Sequence, residues 1–391
     1  MNVKYNSRWF GLKNDYMFWN DYLNEIIKKI EKMIQEKDVI YTDFHMHSDY
    51  SADGKQSLTQ ILDRTKNLGM DIISITDHDS LGVYDELFEM IKKGECSCPI
   101  IIPGVEFTIE NSDYGSQFHI LQLMINPKEK SILDNVKYNM EASWIRTKKQ
   151  FKRISENETL QFFFHKYHIN CSEEGYRNFL NTCKRPIPEY STLAEYLMKV
   201  LWNKCITTWD ILCKLEENNI KDTCLKRRKM KEERYKKLRE KYKDNQEAQN
   251  SSRFLMSMLA VKGVDDDYFP NDKSSGSLSV NNYNELKLEQ LNKNHITFFA
   301  HPNENRLDML EKLRELNSNI SGMEYNKQCN YSSASVFYEK ANELNMIQII
   351  GSDSHSIDSS WYDDMNFYRA DKIQLRDFIN KAKEYICENL T

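Results

Sequence analysis

Residues 41–54 read Tyr41-Thr42-Asp43-Phe44-His45-Met46-His47-Ser48-Asp49-Tyr50-Ser51-Ala52-Asp53-Gly54. On an extended strand, His45 and His47 point to one face while Phe44 and Met46 point to the other. Two imidazoles side by side, ahead of the Asp53 carboxylate, suit a divalent cation better than a core. In a core, four ring nitrogens would need hydrogen-bond partners within a small space. Taken alone, the stretch leaves a chance His-x-His pair open, and the rest of the chain has to decide.

Around it, strands and helices alternate. Val39–Phe44 reads as a strand. Ser57 is a candidate N-cap for a helix that ends at Gly69. Asp71–Thr76 is a short apolar strand delivering Asp77-His78-Asp79-Ser80 at its C-terminal end. A helix over about 83–93 precedes the strand Pro99–Pro103, which delivers Gly104-Val105-Glu106, and the alternating strand Gln117–Leu123 carries His119. The pattern returns at His295–Ala300, ending in His301-Pro302-Asn303. A helix over 306–317, a strand around Ser321–Tyr325 and a helix over 332–345 follow. Ile347–Ile350 then delivers Gly351-Ser352-Asp353-Ser354-His355. Alternation with a polar residue at each strand end predicts an α/β barrel or a doubly wound sheet, whose sites lie at that end.

Between about 128 and 294 the alternation stops. Residues 131–157 read as one long helix, and 189–218 and 226–260 as helical. Lys226–Lys237 is strongly basic, either a solvated face with Glu–Lys pairs or a phosphate-backbone contact surface. Residues 265–282 read as a flexible return loop. The expected organisation is an N-terminal helical extension (1–37), a first barrel part (38–127), a helical insertion (128–294) and a second barrel part (295–391). In the extension, Tyr22, Ile26, Ile27, Ile30, Met33 and Ile34 recur at helical spacing. That helix either packs on its own domain or docks another subunit.

Bulk composition bounds the rest. The chain has 391 residues, 40% hydrophobic and 29% charged, with a net charge of −5, so nothing global demands nucleic acid. Nine cysteines, an odd number without a Cys-x-x-Cys pair, predict a reducing cytosol rather than a disulfide framework. Cys96-Ser-Cys98 reads as an inert loop pair. No apolar run resembles a signal peptide or a membrane span, which predicts a soluble, cytoplasmic protein with no membrane partner.

The histidines decide between these readings. The chain has nine, and six of them (His45, His47, His78, His119, His301 and His355) fall at strand ends or on a strand near the same rim. His165, His168 and His295 are left over. With Asp53, Glu106 and Asp353 the six make nine donors, too many for one ion and suited to three divalent cations. Imidazole and carboxylate without thiolate fit Mn²⁺, Zn²⁺ or Fe²⁺ without distinguishing them.

In order, His-x-His-x5-Asp-Gly, Thr-Asp-His-Asp, Gly-Val-Glu, a strand histidine, Ala-His-Pro and Gly-Ser-Asp-x-His resemble the PHP (polymerase and histidinol phosphatase) superfamily. The likeness covers roughly 41–127 and 295–360 and is greatest to stand-alone phosphoesterases of the RNase AM type. It implies a distorted TIM-like (β/α)7 barrel with a trinuclear site. His45, His47, Glu106 and Asp353 would hold one ion, Glu106, His119 and His301 a second, and Asp53, His78 and His355 a third. The expected activity is metal-dependent hydrolysis of phosphate esters of nucleic acid or nucleotides by a metal-activated water, including 5′–3′ exonuclease action. Glu106 and Asp353 are assigned to catalysis as ligands. Asp77 is assigned to orienting an imidazole, against an N-cap role, whereas for Asp79 the N-cap of the following helix is the expected role. Arg146 and Arg306 are the candidates for gripping substrate phosphate, against plain solvation. Two alternatives stand beside this reading. One is an effector subunit of a multi-protein complex, such as an ATPase-coupled anti-phage system, docked through 1–37 or the insertion. The other is a histidinol-phosphatase-like small-molecule phosphatase.

Overall fold

The computed structural model describes residues 16–95, 99–109, 118–184, 187–221, 225–243, 251, 255, 259, 286–291, 295–303, 310, 315, 320–326, 334–357 and 362–389. Arg306, the Cys96–Cys98 pair, the 265–282 loop and most of the 306–317 helix lie outside them.

Seven strands stand in sequence order in one sheet: β1 (Thr42–Asp43), β2 (Ile72–Ile75), β3 (Ile100–Ile109), β4 (Phe118–Leu123), β5 (Ile296–Phe299), β6 (Ile320–Asn326) and β7 (Ile347–Gly351). β1 to β3 are parallel, as are β5 to β7, whereas β4 runs antiparallel to both of its neighbours. β1 is shorter than its apolar pattern predicts, but the chain beyond it closes the barrel against β7. Phe44 N–H donates to Ile350 O at 2.8 Å, His47 N–H to Ser354 O at 3.0 Å, and Asp353 N–H to His45 O at 2.9 Å. Buried Asp43 ties this seam by accepting from Ser352 N–H and the Tyr362 hydroxyl, at 2.9 and 2.6 Å. The protein is thus a nearly closed, distorted seven-stranded TIM-like barrel.

The helices form for local reasons. α2 (Leu58–Asn67) opens on a Ser57/Gln60 capping box, which satisfies two donors left over by the first turn. It is followed by Gly69 at φ +73°, a left-handed position that glycine takes without strain. α3 (Val83–Lys92) carries Asp85 and Glu86 in its first turn, where the helix dipole favours anions. α1 (Tyr16–Glu36) buries Trp19, Leu23, Ile26, Ile27, Ile30 and Ile34, one stripe at helical spacing. From Leu23 on, that stripe joins Phe44, Ile102, Leu121 and Phe298 of the barrel and Phe378 and Ile379 of α11 (Lys372–Asn389) in one core, while Trp19 packs against Tyr84 and Phe88. Tyr22 fixes the docking by donating to Ile101 O at 2.8 Å. The apolar face of α1 is spent on its own barrel. α10 (Ala334–Glu343) lies between β6 and β7 in the chain.

The chain divides into two compact units, one of residues 1–141, 185–187 and 283–391 and the other of 142–184 and 188–282. The division falls inside α4 (Lys130–Glu156), the long helix expected there. The second unit continues with α5 (Glu158–Tyr167), α6 (Glu173–Thr182), α7 (Tyr190–Trp202), α8 (Thr208–Ile220) and α9 (Leu225–Tyr242). The stretch expected to be helical over 189–218 is two helices. Cys205 at φ +57° breaks the first, and a Thr207/Asp210 capping box starts the second. Among the described residues, no helix is long and apolar enough to cross a membrane.

Candidate metal centre

Each donor reaches the rim from a different element. His45 and His47 follow β1, Asp53 sits in the next turn, and His78 follows β2 and bridges to Glu106 within β3. His119 lies near the start of β4. Because β4 runs antiparallel, its beginning rather than its end lies toward the rim, with His119 opposite Thr108, two residues past Glu106. His301 follows β5, and Asp353 and His355 follow β7. His301 (φ +31°) and Asp353 (φ +56°) hold left-handed backbone, which costs energy for residues with a Cβ and clusters at functional sites.

Glu106, fully buried, is the hub. Its Oε2 lies 2.9 Å from His45 Nε2, 3.1 Å from His47 Nε2 and 3.3 Å from His78 Nδ1. Its Oε1 lies 3.0 Å from His119 Nδ1 and 3.1 Å from His301 Nε2. Asp353 Oδ1 is 3.1 Å from His47 Nε2 and 3.4 Å from His45 Nε2. His119 Nδ1 and His301 Nε2 are 3.2 Å apart. Asp53 Oδ2 lies 3.1 Å from His355 Nε2 and 3.5 Å from His78 Nε2. Three sets have donors close enough to share an ion: His45, His47, Glu106 and Asp353; His78, Glu106 and His119; and His47, Asp53, His78 and His355. The first set is the expected one, whereas the other two place His78 rather than His301 with Glu106 and His119 and add His47 to Asp53, His78 and His355. His301, the ninth expected donor, lies against Glu106 and His119.

These residues fit multivalent cations. His45 Nε2 and His47 Nε2 face each other at 3.0 Å, a distance at which two ring nitrogens can share only one proton. Among the described residues, buried His78 Nδ1 makes no aligned hydrogen bond, although Glu106 Oε2 lies 3.3 Å away. Both arrangements are costly unless something electropositive stands between the nitrogens and the carboxylates. Burial opposes ionisation throughout, yet the carboxylates Glu106, Glu324 and Asp353 hold the His45 imidazolium well above its ordinary value. His47 is held at about 9 against burial by Asp353 and Glu106. Burial would likewise raise Glu106, but His45, His78 and His119 keep it well below the usual carboxylate range. Burial leaves His119 below its ordinary value, despite the pull of Glu106.

Surrounding groups set the rings. The Nδ1 side of His45 faces Glu324 Oε2 at 3.0 Å, and that of His47 faces Ser51 Oγ at 3.2 Å. Ser51 Oγ also donates to Asp53 Oδ1 at 2.9 Å and accepts from His78 N–H at 3.2 Å. His355 Nδ1–H donates to Asp353 O at 2.7 Å, leaving Nε2 toward Asp53. Such partners fix tautomer and orientation. Sequence reasoning missed Glu324 and Ser51; the one signal for Glu324 was a charged residue in an otherwise uncharged strand.

Other expectations are corrected. Asp77 orients no imidazole directly. It accepts from Ser48 N–H and the Ser48 hydroxyl, both at 2.6 Å, pinning the turn after His47, and burial pushes it up to about 6. Asp79, at φ +47°, accepts from Asn139 Nδ2 at 2.6 Å and is no N-cap, a position held by Gly82. Arg146, expected to grip phosphate, is only 6% exposed and donates through Nη2 to Glu189 Oε1 at 2.6 Å and Ser143 Oγ at 3.0 Å. Leftover His295 pairs with Glu129 and Ser131, at 3.2 and 3.1 Å, away from the nine donors.

A barrel whose donor-rich strand ends converge on one buried carboxylate defines a metal-binding α/β protein. Residues 43–258 match the profile of the PHP domain, and the chain belongs to that family. Among solved structures it is similar to a provisionally assigned metal-dependent phosphoesterase from Bifidobacterium adolescentis. The identity is 14%, over 87% of this chain and 96% of that one, with a TM-score of 0.53. An amidohydrolase from Chromobacterium violaceum matches at 16% identity over 81% of this chain and 88% of that one, with a TM-score of 0.47. No curated protein matches.

Proposed function

We propose that the chain is a divalent-cation-dependent phosphoesterase acting on nucleic acid or phosphorylated nucleotides. The convergence of nine nitrogen- and oxygen-donor side chains on one rim, with Glu106 at their hub, carries this reading. His45, His47, Glu106 and Asp353 would hold one cation, Glu106, His119 and His301 a second, and Asp53, His78 and His355 a third. When bound, such cations neutralise phosphate oxygens and lower the pKa of water, and N/O donors suit Mn²⁺, Zn²⁺ or Fe²⁺ alike. The chain's own residues supply a fixed floor and an open edge. His45, His47 and Glu106 have fully buried side chains, whereas His119, His301 and His355 are 27%, 22% and 30% exposed. Substrate phosphate would approach over these three rings, and the buried floor would exclude bulk water beneath it.

Charge supports a polyanionic substrate. The unit of residues 142–184 and 188–282 has 26 Lys and Arg against 19 Asp and Glu, a net +7. The rest of the chain has 28 against 40, a net −12. On α9, Lys226, Lys229, Lys236, Lys237 and Lys241 are exposed, a surface that fits a phosphate backbone and has no use in recognising a small ester. The test compares hydrolysis of a 5′-phosphorylated oligonucleotide and of histidinol phosphate in Mn²⁺, Zn²⁺ and Fe²⁺. Faster turnover of the oligonucleotide is expected. Faster turnover of the small ester overturns the substrate assignment, and no turnover of either overturns the phosphoesterase reading.

A further inference from the structure

Glu324 stands outside the three donor sets yet touches His45, a member of one of them, and His301, which lies against Glu106 and His119. Its side chain, fully buried at the end of β6, sets Oε2 3.0 Å from His45 Nδ1 and 2.7 Å from the backbone nitrogen of His301. Its other oxygen accepts from Asn326 Nδ2 at 2.9 Å. His45 turns its opposite nitrogen, Nε2, to Glu106, His47 and Asp353. Glu324 therefore reaches the centre only through its neighbours. Its bond to His301 falls on the strained residue, at φ +31°. The same crowding explains Gly351 in the adjacent strand. A Cβ there would lie 2.1 Å from Glu324 Oε1 and 2.6 Å from His45 Cβ, so only glycine leaves room.

We propose that Glu324 is a positioning residue for the metal centre, one carboxylate that sets the geometry of His45 and His301 together. By accepting the Nδ1 proton of His45 it commits the Nε2 lone pair to the donor set containing Asp353. By accepting the His301 N–H it holds that residue in its costly backbone conformation, with the ring against Glu106 and His119. The inference rests on the reading that the rim holds divalent cations, and not on which ester is cleaved.

The experiment uses the full chain and Co²⁺, titrated in competition with a chelator and followed by visible absorption. Glu324→Gln keeps the side-chain volume and removes the charge. It should weaken Co²⁺ binding by about ten- to a hundredfold and change the ligand-field spectrum, with the thermal midpoint before cation addition unchanged. In a His45→Ala background the same substitution should cost only the part of its effect that runs through His301, so the two losses should be less than additive. Gly351→Ala, which wedges Glu324 and His45 apart, should reproduce the spectral change. Wild-type affinity and spectrum in E324Q overturn the proposal, as does a lowered midpoint with an unaltered spectrum, or full additivity with His45→Ala. Failure of the wild-type chain to bind Co²⁺ removes the metal centre and this proposal with it. Cation binding without ester hydrolysis removes only the phosphoesterase reading.

Discussion

Two buried groups of charges behave differently in this molecule. Within the helical unit, Arg146 is nearly inaccessible, and among the described residues its guanidinium meets the Glu189 carboxylate while a hydroxyl and a carbonyl oxygen accept from it as well. At the barrel rim, Glu106 alone lies within 3.3 Å of five imidazoles, and Asp353 and Asp53 crowd the same rings. Among the described residues, no lysine or arginine pairs with these three carboxylates. A balanced pair is structure; an unbalanced crowd is a site awaiting charge from outside.

The comparison breaks if the rim proves as self-sufficient as the pair. Glu106→Gln, removing the hub, should release cations and lower ester hydrolysis by on the order of a hundred- to a thousandfold, read by elemental analysis and kcat. A variant that keeps its cations and its activity would make the rim another closed network.

Arg146→Met tests the other side. It leaves Glu189 without its partner and should destabilise the chain by about 2 kcal/mol in urea unfolding, less than a fully buried pair would lose, because Glu189 is partly exposed. Replacing Glu189 by Leu as well should recover most of that loss, and KM for an oligonucleotide should not move. A raised KM at unchanged stability would restore the phosphate-gripping role.

A milder case is Glu129, pulled from the ordinary 4.5 to about 2. Burial would raise it, but hydrogen bonds from His295, Ser131 and Tyr385 outweigh that. A carboxyl depressed in the folded state contributes its full stability above about pH 4.5 and loses it as the pH falls toward 2. Glu129→Gln should therefore cost about 1 to 2 kcal/mol at neutral pH, discounted for partial exposure. The gap from wild type should narrow through that window in pH-dependent unfolding. A constant gap would assign the effect to packing.

The smallest change in stability, within roughly half a kcal/mol, is expected for charge reversal on α9. Lys236→Glu with Lys237→Glu should weaken oligonucleotide binding and reduce the salt slope by about one for each phosphate that is no longer neutralised. Hydrolysis of a small aryl phosphate should be unaffected. Unchanged binding would return α9 to an ordinary solvated helix.

Much of the barrel was legible because strand ends carry a local signature: apolar runs that stop at His78, Glu106, His301 or Asp353. The direction of β4 was not, because alternation with period two is the same in either direction, and His119 reached the rim from the start of its strand. The break between α7 and α8 turns on Cys205, a residue type that does not advertise left-handed backbone. Arg146 looked like any exposed helix arginine until Glu189, 43 positions on, was packed against it. Glu324 could not be found locally, since its partner His45 lies 279 positions away.

The sequence alone determined which residue types stand at the ends of the strands, since hydrophobic periodicity and breakers act over a few residues and need no distant partner. Only the tertiary structure decided which of them meet. Closing β1 against β7 brings His45 and Asp353, more than 300 residues apart, to within 3.4 Å, and the same closure decides which buried charges are paired and which are left facing one another.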